Sequence, residues 1–322
     1  MIINKTIFIS PLDWGLGHAT RCVSIIRQLE KENKIIIGIT PLTKNIFDEE
    51  FPDLEKVDVP PYGITYSRFF PLWIKLVSDW PRIVEVIKKE HAITNFVINK
   101  YKVDIVISDN RFGMFSKYAE TICISHQVFL KSPVANSIAQ SKNKNYLQNF
   151  NELWIPDYED ETESLSGELS HGQHFHKNVK YIGPQTRLKK IISFEKKYDY
   201  LLMLSGPEPQ HSVLRKLLIK KVKEYPQLKF CMVTNTFDQK IENIDVFISP
   251  NAQKLSEVIS QSKKIICRSG YSTLMDLHLL EKKELILIPT PGQTEQEYLA
   301  EYWKEKFGIV SCSQKNISTL NF

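Results

Sequence analysis

The stretch IICRSGYSTLMDLHLLEKKELILIPTPGQTEQEYLAEYW, from Ile265 to Trp303, holds the plan of the fold. A β-branched run ends at Cys267, Ser269–Gly270 breaks it, and an amphipathic pattern predicts a helix over Tyr271–Leu280. A second apolar run, Glu284–Ile288, is closed by the tight Pro289–Gly292 loop and followed by a second helix over Thr294–Lys306. Strand, turn and helix twice in succession is the pattern of an α/β sheet.

Outward from this stretch the same alternation fills the chain. Strands are predicted at Asp199–Leu204, Lys229–Val233, Val246–Ile248 and Lys264–Cys267, with helices over Gln210–Glu224 and Asn251–Gln261. The first half repeats the plan. Its strands are Thr6–Ser10, Lys34–Ile39, Val103–Ser108, Thr121–Ser125, Glu152–Ile155 and Val179–Ile182, several of them nearly continuous Ile and Val, as suits parallel strands covered on both faces. Helices are predicted over His18–Glu32, Trp80–Lys100, Phe112–Glu120 and Pro133–Asn149. The segment Asp157–Asn178, acidic at its start and rich in Ser, Gly and His, reads as an exposed loop, with the crossover between halves at Gly183–Lys190. Two doubly wound, Rossmann-like domains follow, 1–184 and 185–322, with ligand expected between the carboxyl ends of their strands.

Composition narrows the function classes. Hydrophobic residues at 42% and charged residues at 25% of 322 residues permit a substantial core. A net charge of +5 favours an anionic ligand or membrane surface and is too small to argue for nucleic acid. Cys22, Cys123, Cys231, Cys267 and Cys312 form no C-x-x-C pair and lie mostly in apolar runs, so a reducing cytoplasm is expected. The opening MIINKTIFIS carries too short an apolar stretch for a signal peptide, and no run reaches the length of a membrane span.

Chemistry is expected at the loops on the carboxyl edges of the strands. In PLDWGLGHATRC, Pro11–Cys22, Gly15 and Gly17 let backbone N–H groups approach a ligand at a helix N-terminus, with His18 beside them. Thr20 stands where a dinucleotide fingerprint needs its third glycine, which argues against NAD. His18 is the candidate base, because an imidazole titrates near neutrality; Asp13 either orients that imidazole or is itself a second candidate base. Asp109, His126 and Gln127, at the ends of two other strands, are expected on the acceptor or phosphate side. In the second half Ser269–Gly270 opens an anion-ready helix carrying Asp276. Gln293, Gln296 and Glu297 crowd the next helix start, where amides and carboxylates can bind sugar hydroxyls or, as plain helix caps, bind nothing.

These segments carry a family resemblance. CRSGYSTLMDL followed by PTPGQTEQEYLA, together with GLGHATR, resembles the GT-B glycosyltransferases of the peptidoglycan N-acetylglucosaminyltransferase type over most of the chain. The resemblance implies two domains facing an interdomain cleft, the first binding the acceptor and the second a UDP-sugar, with no metal or other cofactor. It implies that Asp276 holds the donor ribose and that Gln296 and Glu297 contact the donor sugar. Arg187 in IGPQTRL then faces the diphosphate, as does the Ser205–Gly206 loop, Phe247 and Ile248 lie beside the uracil, and His18 faces the reacting sugars. The expected reaction moves a hexose or N-acetylhexosamine to a saccharide or lipid-linked acceptor in cell-envelope glycan synthesis, with inversion. GT-B enzymes continue through helices that cross back to the first domain, whereas this sequence reaches Phe322 soon after a strand near Ile309, which implies further chain or a different closure.

Two other readings stay open. GLGHATRC also resembles the G-x-G-H-x-x-R-C start of UDP-sugar hydrolases of the pseudaminic acid pathway, in which the histidine activates water; a third reading is a non-catalytic nucleotide-sugar sensor. His171, His174 and His176 in HGQHFH match no standard metal spacing. Tyr66–Lys89 mixes aromatic, apolar and basic residues and reads either as a helix packed on the sheet or as a surface facing the inner side of the cytoplasmic membrane.

Overall fold

The computed structural model describes residues 2–63, 72–131, 136–173, 175–193, 195–237 and 241–322. His174 and the first part of the aromatic stretch, 66–71, lie outside these described residues. The chain forms two compact units that divide between Thr186 and Arg187.

The first unit is a seven-stranded parallel sheet in the order β3-β2-β1-β4-β5-β6-β7. Its strands are β1 (Thr6–Pro11), β2 (Lys34–Ile39), β3 (Glu55–Asp58), β4 (Ile105–Asp109), β5 (Glu120–Ile124), β6 (Glu152–Ile155) and β7 (Val179–Tyr181). Helices α1 (Leu16–Leu29), α2 (Lys44–Glu50), α3 (Leu72–Tyr101) and α4 (Asn136–Leu147) connect them. The strand period explains the two-sided core. Ile7, Ile9, Ile35, Ile37, Ile105 and Ile107 pack with Cys22, Val23 and Ile26 of α1 and Phe47 of α2, while Phe8, Ile36 and Val106 pack with Val97 and Ile98 of α3. Beyond residue 79, Ile83, Val86 and Ile87 of α3 are buried and Trp80 and Val84 half-buried, so this part of the aromatic stretch packs on the unit's core.

The second unit is a six-stranded parallel sheet in the order β10-β9-β8-β11-β12-β13. It comprises β8 (Tyr198–Met203), α5 (Gln210–Val222), β9 (Phe230–Thr234), β10 (Ile244–Ile248), α6 (Ala252–Ser260), β11 (Ser262–Cys267), α7 (Tyr271–Leu279), β12 (Leu285–Leu287), α8 (Thr294–Phe307) and β13 (Val310–Ser311). Tyr200, Leu202, Phe230, Met232 and Ile266 pack against Leu214, Leu218 and Val222 of α5, with Ile317 closing the cluster. No helix among the described residues is long and apolar enough to cross a membrane.

Strand order reverses between β1 and β4 in the first unit and between β8 and β11 in the second. In such sheets adjacent loops diverge at the carboxyl ends of these strands and leave a crevice. The turn carrying His18 follows β1 and Asp109 ends β4; the Ser205–Gly206 loop follows β8 and Ser269–Gly270 follows β11.

Three expectations are corrected. Residues 112–119 form no helix: Ser108 Oγ accepts the Arg111 amide at 3.0 Å and the Gly113 amide goes to Glu90 Oε2 at 3.0 Å, so local backbone donors are taken by side chains. A Cβ on Gly113 would stand 2.1 Å from the Ile87 carbonyl, which ties this loop to the close approach of α3. The segment after β6 is not exposed throughout: residues 159–163 face solvent, but 157, 164–167 and 169–171 are buried. Asp157, fully buried, accepts hydrogen bonds from Ser164 Oγ (2.8 Å), the Leu165 amide (2.9 Å), the Ser166 amide (3.0 Å) and Ser170 Oγ (3.0 Å), with Leu165 and Leu169 buried around it. His171 and His176 are buried too, the latter accepting the Asn178 amide at Nδ1 (3.1 Å) with Nε2 3.0 Å from the Phe150 carbonyl. Lastly, α2 and β3 were not anticipated: Glu55–Asp58 is short, edge-placed and half-exposed, which erases its hydrophobic pattern.

Candidate functional site

Helix α1 starts at Leu16, straight after Gly15, whose φ of 106° suits glycine. His18, Arg21 and Cys22 are therefore spaced i, i+3 and i+4 and share one face. That face meets the end of β4, because Pro11 pairs with Asp109 and the Leu12 amide bonds the Asp109 carbonyl at 2.9 Å. All three side chains converge on the Asp109 carboxylate. His18 Nδ1 lies 2.8 Å from Oδ1, Arg21 Nε 2.9 Å from Oδ2, and the Cys22 thiol donates to Oδ2 at 3.6 Å. Arg21 Nη2 also reaches Oδ1, so guanidinium and carboxylate meet through two parallel bonds.

Asp109 is fully buried, its carboxylate held by His18, Arg21 and Cys22. Burial works to raise its pKa, but the Arg21 guanidinium and then His18 outweigh burial and hold the carboxyl well below the usual carboxylate range. A carboxylate can only accept, so the proton on the near face of His18 sits on Nδ1 and Nε2 presents a lone pair. The opposite tautomer would set an imidazole lone pair 2.8 Å from carboxylate oxygen. Burial first, then the Asp109 charge, push the Cys22 thiol well up, which leaves it protonated and inert.

Orientation of His18 thus belongs to Asp109 and not to Asp13. Asp13 is buried, accepts the Tyr62 amide at 3.1 Å and lies 3.6 Å from Arg111. Arg111, itself fully buried, pairs with Glu90 at 2.8 Å and donates to the carbonyls of Pro11 (3.2 Å) and Pro60, while Glu90 takes the Tyr62 hydroxyl at 2.9 Å. This second buried pair fastens the turn after β1 to α3 and to the loops after β3 and β4. Burial pushes the Glu90 carboxyl up despite Arg111. His126, 7% exposed after β5, receives Arg21 Nη1 at Nδ1 (3.1 Å), its ring 6.0 Å from that of His18. Gln127 beside it is half-buried, its amide bonded to Ser125 Oγ at 3.3 Å. Gly17 lies inside the first turn of α1, its carbonyl accepting Thr20 Oγ1 at 3.0 Å.

In the second unit Ser205 is half-buried and Gly206 exposed, with φ 97°, ahead of α5, whose start carries no side-chain cap. Helices α7 and α8 also start without a hydrogen bond to the N-cap side chain, while in α5 the Ser212 amide donates to Glu208 Oε2 at 3.2 Å. Ser269 is fully buried and donates to the Gln296 carbonyl at 2.7 Å, joining two loops. Gly270 forms the N-cap of α7, and Asp276 lies in that helix, half-buried. Gln296 also closes its own loop, accepting the Thr290 amide at 2.9 Å and donating to Gln293. Glu297 is exposed and spends only Oε1, on the Gly292 amide at 2.9 Å. Phe247 lies edge-on to Tyr198 (6.5 Å) with Lys254 over its ring, whereas Ile248 is 56% exposed. Arg187, half-buried, opens the Arg187–Phe322 part of this unit. Among the described residues no group of three His, Cys, Asp or Glu side chains is placed to hold a metal.

Residues 193–321 match the Glycosyltransferase family 28 C-terminal domain. MurG of Acinetobacter baumannii shares the fold at a TM-score of 0.55 and 11% identity, over 98% of this chain and 89% of that one. The chain has the GT-B fold, and its second unit carries a glycosyltransferase family 28 C-terminal domain. The glycosyltransferase SnogD from Streptomyces nogalater (TM-score 0.63, 13% identity, 99% of this chain, 88% of that one) also has this fold. So does Arabidopsis thaliana UGT89C1, solved in complex with UDP-L-rhamnose (TM-score 0.60, 11% identity, 99% and 89%). No curated protein matches the chain significantly in sequence.

The residues that sequence reasoning missed are the buried cations. Arg21 stands one helical turn after His18, a spacing visible in GLGHATR, but its partner is 88 residues away. Arg268, 1% exposed, likewise ties the end of β11 to the carbonyls of Ile288 (3.1 Å), Pro289 (3.0 Å) and Gln210 (3.2 Å), and burial lowers its pKa to about 10.

Proposed function

We propose that the protein transfers a hexose or N-acetylhexosamine from a UDP-sugar to a hydroxyl of a saccharide or lipid-linked acceptor, with inversion and without a metal, in cell-envelope glycan synthesis in the cytoplasm or at the inner face of its membrane. The observation that carries this reading is the His18–Asp109 pair at the switch point of the first unit, in a chain whose second unit is a family 28 domain.

In this reading the second unit holds the donor. Asp276 takes the ribose, Glu297 keeps an oxygen for the sugar, and the Phe247–Ile248 backbone lies beside the base. The Ser205–Gly206 loop and the helix starts that follow β8 and β11, with Arg187, receive the diphosphate. The first unit holds the acceptor, with Gly15, Gly17 and Gln127 at its edge. His18 Nε2 takes the hydroxyl proton as that oxygen attacks the anomeric carbon, and the bond to the diphosphate breaks with its electron pair leaving on UDP. The imidazolium so formed is stabilised by the Asp109 carboxylate.

A second reading, UDP-sugar hydrolysis with His18 activating water, is favoured by one observation: the histidine, arginine and cysteine of G-x-G-H-x-x-R-C all engage the same carboxylate. Incubation with a panel of UDP-sugars, with and without a lipid or saccharide extract, separates the two. Release of UDP that needs extract and yields no matching free sugar is expected of the transferase. Extract-independent release of free sugar identifies the hydrolase, and no release with any donor removes both.

A further inference from the structure

We propose that His126 and Arg21 are positioning residues that act on the base through a relay, His126 to Arg21 to Asp109 to His18, and that the two histidines are held in opposite tautomers. The inference rests on the glycosyl-transfer reading only for its kinetic consequences.

The argument starts from the guanidinium, which has five N–H donors in one plane and no acceptor. Its Nε and Nη2 edge is taken by Asp109. That leaves Nη1, a buried donor on the far side, and the group 3.1 Å away is His126 Nδ1. Because Arg21 can only donate, His126 Nδ1 accepts and its proton resides on Nε2. Arg21 Nη2 also stands 2.9 Å from His18 Nδ1, but that nitrogen lies 2.8 Å from Asp109 Oδ1, which can only accept, and we assign its proton to the bond with the charged carboxylate. One arginine therefore stands between an imidazole with Nδ1–H and one with Nε2–H.

The arrangement has a mechanical purpose. Two bonds to Asp109 fix one edge of the guanidinium, and a third contact at the opposite nitrogen fixes its plane. Nη2 and His18 Nδ1 already share Oδ1, and without His126 one of the contacts that hold the guanidinium plane is lost, so the balance of that sharing shifts toward Nη2. Since the neutral base must present Nε2 to the hydroxyl, a shift of this kind lowers the fraction of correctly oriented imidazole without removing any group that binds donor. His126 thus serves the reaction while exchanging no proton in it.

The test uses the full chain. Nitrogen-15 correlation spectra of the imidazoles at neutral pH, assigned with His18→Gln and His126→Gln, are expected to show protonated Nδ1 in His18 and protonated Nε2 in His126. Protonated Nδ1 in His126 overturns the inference whatever the activity. His126→Asn keeps an acceptor near the Nδ1 position, whereas His126→Leu removes it. The expectation is turnover within about twofold of the parent for Asn and a roughly tenfold loss for Leu, with the donor KM unchanged in both. Equal losses in Asn and Leu, or no loss in Leu at unchanged thermal stability, overturn the relay. A parent protein that turns over no UDP-sugar refutes the proposed function, and the tautomer spectra then decide the inference alone.

Discussion

His18 Nδ1 lies 2.8 Å from Asp109 Oδ1, across 91 residues of sequence and at the point where the strand order of the first sheet reverses. The pair decides which nitrogen of the base is free. Asp109→Asn substitutes an amide that can donate to Nδ1 and turn the proton onto Nε2, so turnover is expected to fall roughly 10²- to 10⁴-fold with little change in donor KM. Steady-state kinetics on both substrates check this.

The depressed pKa of Asp109 has a stability consequence of definite sign. A carboxyl with a folded pKa below its unfolded value of about 3.9 stabilises the fold above that value and loses this contribution as pH falls through the folded pKa. The stability gap between the parent and Asp109→Asn is therefore expected to be flat from pH 8 to about pH 5 and to close on further acidification. Urea denaturation across that range measures it.

Removing the arginine strands a charge. Arg21→Met leaves the Asp109 carboxylate buried without a counter-ion and is expected to cost about 3–5 kcal/mol. The double variant Arg21→Met, Asp109→Asn should recover most of that loss while remaining inactive, a coupling that a double-mutant cycle in urea resolves.

His211 in α5 is 2% exposed and within 3.1 Å of Thr234 Oγ1; burial lowers its pKa, against the pull of Glu208. A histidine whose folded pKa lies below the unfolded value near 6.5 destabilises the fold as pH drops through 6.5, because the unfolded chain takes up the proton first. Between pH 7.5 and 5.5 the parent is expected to lose more melting temperature than His211→Gln, as calorimetry can show.

Asp157 gathers several donors from the segment that follows it. Asp157→Ala removes their common acceptor and is expected to destabilise the protein by about 3–5 kcal/mol. Limited proteolysis should then cut within residues 158–173, where the parent resists.

The proposed donor site is tested by Glu297→Ala and Asp276→Asn. Each should raise the UDP-sugar KM roughly tenfold and leave the acceptor KM unchanged, the loss of one or two hydrogen bonds. Thermal melting accompanies the kinetics, because Glu297 Oε1 also holds the Gly292 amide.

Much of the fold was readable because parallel strands buried on both faces leave continuous apolar runs, as at Ile7–Ile9, Ile35–Ile37 and Ile265–Ile266. The loops after β1, β8, β11 and β12 were readable from glycine and proline ending such runs. Residues 112–115 misled for a physical reason: Phe112, Met114 and Phe115 are apolar at near-helical spacing, but they pack into different clusters from an irregular loop. The Asp157 segment misled in the opposite direction, since a polar composition reads as solvent-facing unless its hydroxyls are known to meet a single buried carboxylate.

By itself, the sequence determined the strand and helix alternation, the glycine-flanked placement of His18 and the family 28 pattern from Arg268 to Ala300, because each is written in neighbouring residues. Only the tertiary structure decided what holds them. The partner of His18 is Asp109 rather than the nearer Asp13, Ser269 and Gln296 bind their own loops, and Arg21 is the cation between two histidines. Partner choice for a buried charge depends on which chain segments the sheet order brings together, and a reversal between β1 and β4 leaves no mark in local sequence.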